Sequence, residues 1–323
     1  MAYYYRTVNY YRLCCGNKQM LLPHLYELLL SLTFFLMFNF TFLIDNGGTM
    51  ELNGCHVIAA KSTHAVQAAM FVLELPAQIP TEIIQKASAH YDSSKALLDF
   101  FPIKTENRGM LINISNDAVG VNQTDGIQGI TLQRIATDGS PEFIFSIQGN
   151  QLAFTCNKYT RWQEVSQKAI ELLNEFSALI CPVAGVAVIA LQYVDEFIIT
   201  GKLDEYRSSI LFNSKSKRLP VAILDENDFW HNHAGWFENN AIDNRVLNNL
   251  NVSYYPQQPN INAVQIISAH KEILKEPIFE YQNLIAMMPS SFEKLHTKNK
   301  EMFKEILNEE TLKSINLIGD NND

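Results

Sequence analysis

Five cysteines are scattered along the 323-residue chain: Cys14, Cys15, Cys55, Cys156 and Cys181. They form no CxxC pair and no zinc spacing, which excludes a disulfide framework and makes a reducing compartment the simpler reading. A basic run is also missing. Lys and Arg number 25 against 34 Asp and Glu, for a net charge of −9, and that balance argues against binding nucleic acid through its phosphates. Lys215-Ser216-Lys217-Arg218 is a short basic patch and reads as a solvated loop. The chain has no P-loop, no G-x-G-x-x-G and no G-x-S-x-G. Cys156 and Cys181 lie in apolar contexts that suit buried, inert thiols. What remains is an ordinary globular balance, 47% hydrophobic and 18% charged, long enough for one large or two small domains.

Residues 1–49 differ from the rest. Leu25–Ile44 is a run of twenty residues in which Glu27 is the one charge, long enough for a membrane span. Arg6, Arg12 and Lys18 precede it, and no small-residue cleavage site follows, so the run reads as an anchor rather than a signal peptide. The alternative is a non-native extension. Gly47-Gly48 shortly before Met50 is what a purine-rich ribosome-binding site spells when translated. The expectation adopted is translation from Met50 and a cytoplasmic protein, with a membrane anchor at Leu25–Ile44 as the rival.

The body is organised around Tyr159–Asp195. Thr160 and Gln163 have capping-box spacing. Trp162, Val165, Ala169, Leu172, Leu173, Phe176, Leu179 and Ile180 then form the stripe of a half-buried helix, which Pro182 is expected to stop. Val183–Val194 is too short and too β-branched for another helix and reads as a strand covered on both faces.

Before that helix, the pattern predicts a strand at 65–75, a helix from Pro80 to about His90, a further turn at 97–101 and a weak strand at 110–114. Strands at 129–136, 142–148 and 151–156 follow in hairpin order, with turn chemistry at Thr137–Ser140 and Gly149-Asn150. After it come a short helix at 203–211 and strands at 220–224, 230–238, 247–255 and 263–268. A C-terminal helix is expected to start at a capping box, Ser290 and Glu293, and Asn308 to cap a last short helix. The fold class is α+β: an antiparallel sheet with helices packed on one face, in two loosely similar halves, 50–182 and 183–323.

Several pieces together resemble a sporadically distributed bacterial family of uncharacterised conserved proteins. They are Tyr159-Thr160-Arg161-Trp162 at the helix start, Leu191-Gln192-Tyr193-Val194-Asp195 at the strand end, Leu295-His296, Phe303 and Asn308-Glu309-Glu310. Trp230-His231-x-His233-x-Gly235-Trp236-Phe237 resembles a variant of the same family. The family usually carries Arg where Gln192 stands and Asn where Asp195 stands. The resemblance covers Met50 to the end. It implies no established activity, and an accessory role beside mobile-element or defence-type genes.

His231-x-His233 has metal-ligand spacing, since i and i+2 share a strand face. Asp225, Asp228 and Glu238 are the possible third ligands; the alternative is two His in an aromatic cluster with Trp230, Trp236 and Phe237. Arg161, Gln192, Tyr193 and Asp195 could line a polar pocket; alternatively Arg161 is solvated and Asp195 begins a turn. A turn at Gly235 would split His231, His233 and Phe237 across the faces. The leading expectation is a binding module that touches an unidentified protein encoded nearby through Trp230, His231, His233, Trp236, Phe237, Arg161, Tyr193 and Asp195, with no cofactor. The alternative is a metal-dependent hydrolase built on His231 and His233.

Overall fold

The computed structural model describes residues 49–318 apart from 53, 62, 63, 116, 117, 227 and 239–243. The run Leu25–Ile44 therefore lies outside the described residues. Within them, no helix is long and apolar enough to cross a membrane.

The strands are β1 (Thr49–Leu52), β2 (Cys55–Ala59), β3 (Val66–Glu74), β4 (Ile103–Ser115), β5 (Ala118–Ile135), β6 (Pro141–Gln148), β7 (Gln151–Cys156), β8 (Val186–Gly201), β9 (Trp230–Glu238), β10 (Arg245–Gln258) and β11 (Ile261–Ile278). The helices are α1 (Thr81–Ser93), α2 (Lys95–Phe100), α3 (Trp162–Ala184), α4 (Tyr281–Ile306) and α5 (Glu309–Ser314). All of these strands join one antiparallel sheet, in the order β4-β5-β6-β7-β3-β8-β11-β10-β9. The β1–β2 hairpin continues past β3 along β8, where Cys55–Ala59 pairs with Phe197–Gly201.

The order is two-fold in character. β3 and β8 lie side by side at the centre, each flanked outward by the last strand of its own half, β7 or β11. Each last strand leads into a long helix, α3 or α4. This is the α+β body in two loosely similar halves.

The stripe on α3 packs as its period requires. Trp162, Val165, Ala169, Leu172, Leu173, Phe176 and Ile180 are all buried. Two expectations about its ends are corrected. Thr160 does not cap; its hydroxyl lies 2.8 Å from Glu164 Oε2, and the N-cap position is Arg161, with no side-chain cap. Pro182 does not stop the helix, because it sits in the last turn, where one lost bond is tolerated. Gly185 ends it, at φ 67, with its N–H on the Cys181 carbonyl. A Cβ there would come within 2.9 Å of the Phe279 ring, so glycine is required on both conformational and steric grounds.

Three further elements differ from expectation. Residues 103–128, where only a weak strand at 110–114 is expected, join the expected strand from 129 in the long β4–β5 hairpin. Residues 221–224 make a 3-10 turn instead of a strand, and 203–211 hold two such turns in place of a helix. α4 starts at Tyr281 and carries Pro289 inside it, so Ser290 is not a cap; its hydroxyl donates to the Met287 carbonyl at 2.9 Å. Asn308 does cap α5, accepting from the Thr311 amide.

The helix-side core has two parts. One gathers Phe71, Leu73, Phe145, Phe154, Trp162, Leu173, Phe176, Leu191, Phe292 and Leu295. The other gathers Phe197, Ile199, Leu250, Val252, Ile266, Met302, Phe303 and Ile306. The opposite face of the sheet carries a small apolar floor of Val72, Ala153 and Ala190, with Met70 and Val188 beside it. It also carries an ion pair from Lys271 to Glu74, at 2.9 Å.

Trp162 and Arg161 are neighbours in sequence with opposite surroundings. Trp162 is 8% exposed and stacks on Phe71, whereas Arg161 is exposed and reaches only Glu164, at 3.4 Å. Trp162→Ala is expected to cost about 3–5 kcal/mol through lost burial and a cavity. Arg161→Ala is expected to stay within about 0.5 kcal/mol. Equal effects in denaturant melts would refute this facing.

Candidate functional site

The two apolar cores are separated by a polar level that crosses every element beneath α4. Down β8, Leu191 and Tyr193 belong to the first core and Phe197 and Ile199 to the second, with buried Asp195 between them. Along α4, His296 and Asn299 fall between Leu295 and Met302. On β11, Ser268, His270 and Glu272 are buried at alternate positions, and on β10 so is Asn248. Alternation points all of these side chains to the helix face.

The groups are joined in sequence. The Tyr193 hydroxyl lies 2.8 Å from His296 Nδ1. Ser268 donates to Asn299 Oδ1 at 2.6 Å, and His270 Nε2 approaches the same oxygen at 3.3 Å. His270 Nδ1 is 2.7 Å from Asn248 Oδ1, and the Asn248 amide donates to Glu238 Oε1 at 3.1 Å. Lys298 ion-pairs with Glu238 and ends the line. Because the Asn248 NH2 is committed to a carboxylate, its carbonyl faces His270 Nδ1, so each ring nitrogen of His270 faces an amide oxygen.

At the other end, Tyr159, Trp162, Tyr193 and His296 come together. Trp162 stacks on His296, with centroids 4.0 Å apart and planes at 11°, and its indole N–H donates to Glu293 Oε2 at 2.5 Å. Tyr159 meets Tyr193 edge-on at 6.2 Å, and His64 meets Tyr159 at 5.4 Å. Asp195 Oδ2, His296 Nε2 and His64 Nδ1 are buried with no hydrogen-bond partner among the described residues. Burial pushes the Asp195 carboxyl up to about 8, His296 down to about 3 and His270 down to about 4. Burial also raises Tyr159 and Tyr193, with Asp195 adding to both shifts. Each group is thus held in its neutral form near pH 7. The thiols follow suit: burial raises Cys156 to about 12 and Cys181 to about 11. The seam supplies hydrogen bonds and desolvated neutral groups, and no activated nucleophile.

Arg161 lies outside this cluster, exposed beside Glu164. Gln192, one residue from Tyr193, points to the open face, where it lies level with Met70 and Ala269. Asp195 does not begin a turn; β8 runs on to Gly201.

The second candidate region, Trp230–Phe237, is strand β9 in full. Gly235 makes no turn, and the pairing with β10 runs unbroken from Trp230 to Glu238. Alternation therefore holds throughout and corrects the expected split. Trp230, Asn232, Ala234 and Trp236 face the helix side and are half-buried, whereas His231, His233, Gly235 and Phe237 are exposed on the open side. The Trp230 indole donates to Ser208 Oγ at 3.0 Å. Trp236 packs against the second core under the Arg218 guanidinium, 3.8 Å from its centroid. Phe237 is 51% exposed, with the Arg245 guanidinium 4.9 Å from its ring. His231 Nδ1 lies 2.8 Å from Ser253 Oγ. Among the described residues no cluster of three His, Cys, Asp or Glu could hold a metal, so no third ligand joins His231 and His233 there. Glu238 is already engaged by Lys298 and Asn248.

Compared with known protein families, curated proteins and solved structures, the chain matches none of them.

Sequence reading missed His64, Asn248, Ser268 and His270, and placed Asn299 on the buried stripe of the C-terminal helix without giving it a partner. The signal for Ser268 and His270 was misleading, since polar residues alternating with Ile267, Ala269 and Ile273 look like a solvent face.

The seam makes a pH prediction through Asp195. The folded chain keeps its proton up to about pH 8, whereas the unfolded chain releases it near pH 4. The folded state is therefore least penalised below pH 4 and loses stability as pH rises from 4 to 8. Each tenfold difference in proton affinity is worth about 1.4 kcal/mol. Asp195→Asn, neutral at every pH, should raise stability at pH 8, with the gain shrinking towards zero near pH 4. Denaturant melts at the two pH values check this, and an equal gain at both would refute the buried neutral acid.

Proposed function

We propose that this chain is a cytoplasmic interaction module without catalysis of its own. Its working surface is the exposed stripe His231, His233 and Phe237 on β9, and its partner is a protein encoded beside it. One observation carries the reading: a large aromatic and two imidazoles stand on the open side of an edge strand whose opposite side is anchored in the core by Trp230 and Trp236. Aromatic side chains held rigidly at the surface are favoured anchors where proteins meet. The resemblance adds a mobile-element or defence-type setting.

The division of β9 gives a test with two arms. Phe237→Asp should remove specific proteins captured from native cells while shifting the melting temperature little. Trp236→Ala should instead destabilise the fold by about 2–4 kcal/mol, because its ring lies under Arg218 against the second core. Identical captured sets for wild type and Phe237→Asp would overturn the proposal.

A further inference from the structure

The two ends of the sheet are built differently. Edge strand β4 carries Lys104, Glu106 and Arg108 within five residues, and its pairing with β5 shifts register at Asn107/Arg108 and again at Arg108/Met110. Charges and bulges are the devices that stop an edge from pairing with another chain. Edge strand β9 has neither. Its nine residues pair with β10 in unbroken register, and its one carboxylate, Glu238, is at the end and already held by Lys298. Among the described residues no strand pairs with its outer edge, so that edge presents unpaired backbone groups.

The sequence of β9 is also complementary to itself. In antiparallel pairing about Ala234, His231 meets Phe237 of a second copy and His233 meets Gly235, each pair occurring twice about the axis. On the other side Asn232 meets Trp236, Ala234 meets Ala234, and Trp230 meets Glu238. No like charges face each other, and the small residue lies on the axis. The pairing is isologous and closes as a dimer.

The geometry points to a second copy of this chain as the occupant of the β9 edge, paired antiparallel about Ala234 so that two sheets become one. This rests on β9 being the interaction surface, and it deepens that reading. The two stripes of His231, His233 and Phe237 then fuse into one composite patch across the two-fold axis, and it is this patch that a further partner meets.

Light scattering of the purified full chain should give twice the mass of one chain. With Cys14 and Cys15 replaced by Ser, Ala234→Cys should cross-link to a covalent dimer under mild oxidation, because directly opposed residues lie about 4.5–5.5 Å apart, within disulfide reach. His231→Cys and Phe237→Cys should cross-link poorly alone and well when combined. Lys61→Cys, exposed and away from β9, is the control. A single-chain mass at every concentration overturns the proposal. So does a dimer in which Ala234→Cys cross-links no faster than Lys61→Cys. In either case the capture experiment separates the two readings. If Phe237→Asp still loses its captured proteins, the interaction surface stands without the dimer; if it does not, both fall.

Discussion

Everything under α4 is arranged around one cost, that of taking Asp195, Tyr193, His296, Ser268, His270, Asn299 and Asn248 out of water. An unpaired buried polar group costs roughly 1–3 kcal/mol, and a buried charge much more. The chain meets much of the first cost by pairing Tyr193 with His296 and by joining Ser268, Asn299, His270 and Asn248 through hydrogen bonds that run out to Glu238 and Lys298 at the sheet edge. It avoids the second by keeping Asp195, His270 and His296 neutral. The requirement sets register as well as energy. α4 must place His296 and Asn299 opposite Tyr193 and Ser268, which are themselves register partners on β8 and β11. A slip of one residue on either strand would turn those side chains away from the helix. A purely apolar interface of the same area would accept neighbouring registers with less penalty.

The seam also explains why one sheet carries two cores. Above it, Trp162, Phe71 and Phe292 close the first around α3 and the N-terminal part of α4. Below it, Met302, Phe303 and Ile306 close the second with the 3-10 turns and the β1–β2 hairpin. Trp162 ties the first core to the seam through its stack on His296. Tyr159, Trp162, Tyr193 and His296 thus converge for a structural reason: they are the points where α3, β8 and α4 meet.

How much of this was legible in the sequence depended on whether local pattern and tertiary setting agreed. α3 and β9 were legible because period and burial coincide; the apolar stripe on α3 is its buried face, and the bounds of β9 match its aromatic run. β4 and β5 were legible only in part: strands at 110–114 and 129–136 were read, but the rest of the long hairpin, where Lys104, Glu106, Arg108 and Gln128 interrupt the pattern, has no apolar run to mark it. α4 was cut short because Ser290 and Glu293 imitate a cap nine residues after the true start, and Pro289 looks like a boundary. The seam was least legible. Ser268, His270 and Glu272 at alternate positions follow the rule for a solvent face, and only the helix above them reverses its meaning.

That reversal bears on where the surface chemistry of the molecule lies. Most of the unusual polar residues are consumed internally, and among the described residues the other side of the sheet carries the small floor of Val72, Ala153 and Ala190, the Glu74–Lys271 pair, the hydrogen bonds of Tyr255 and Gln67 to Glu196, and the stripe on β9. Of these the stripe alone combines large exposed rings with an unpaired strand edge. The anchors behind it are fixed, since the Trp230 indole is bonded to Ser208 and the Trp236 ring lies under Arg218. A rigid edge loses little conformational freedom when another strand adds to it, so more of the backbone hydrogen bonding appears as affinity. The far edge, β4, gains nothing comparable, because its charges and register shifts oppose the addition of a strand. The two ends of one sheet therefore differ, one carrying charges and register shifts and the other a strand in unbroken register, and the difference is written in which residues occupy the two edge strands.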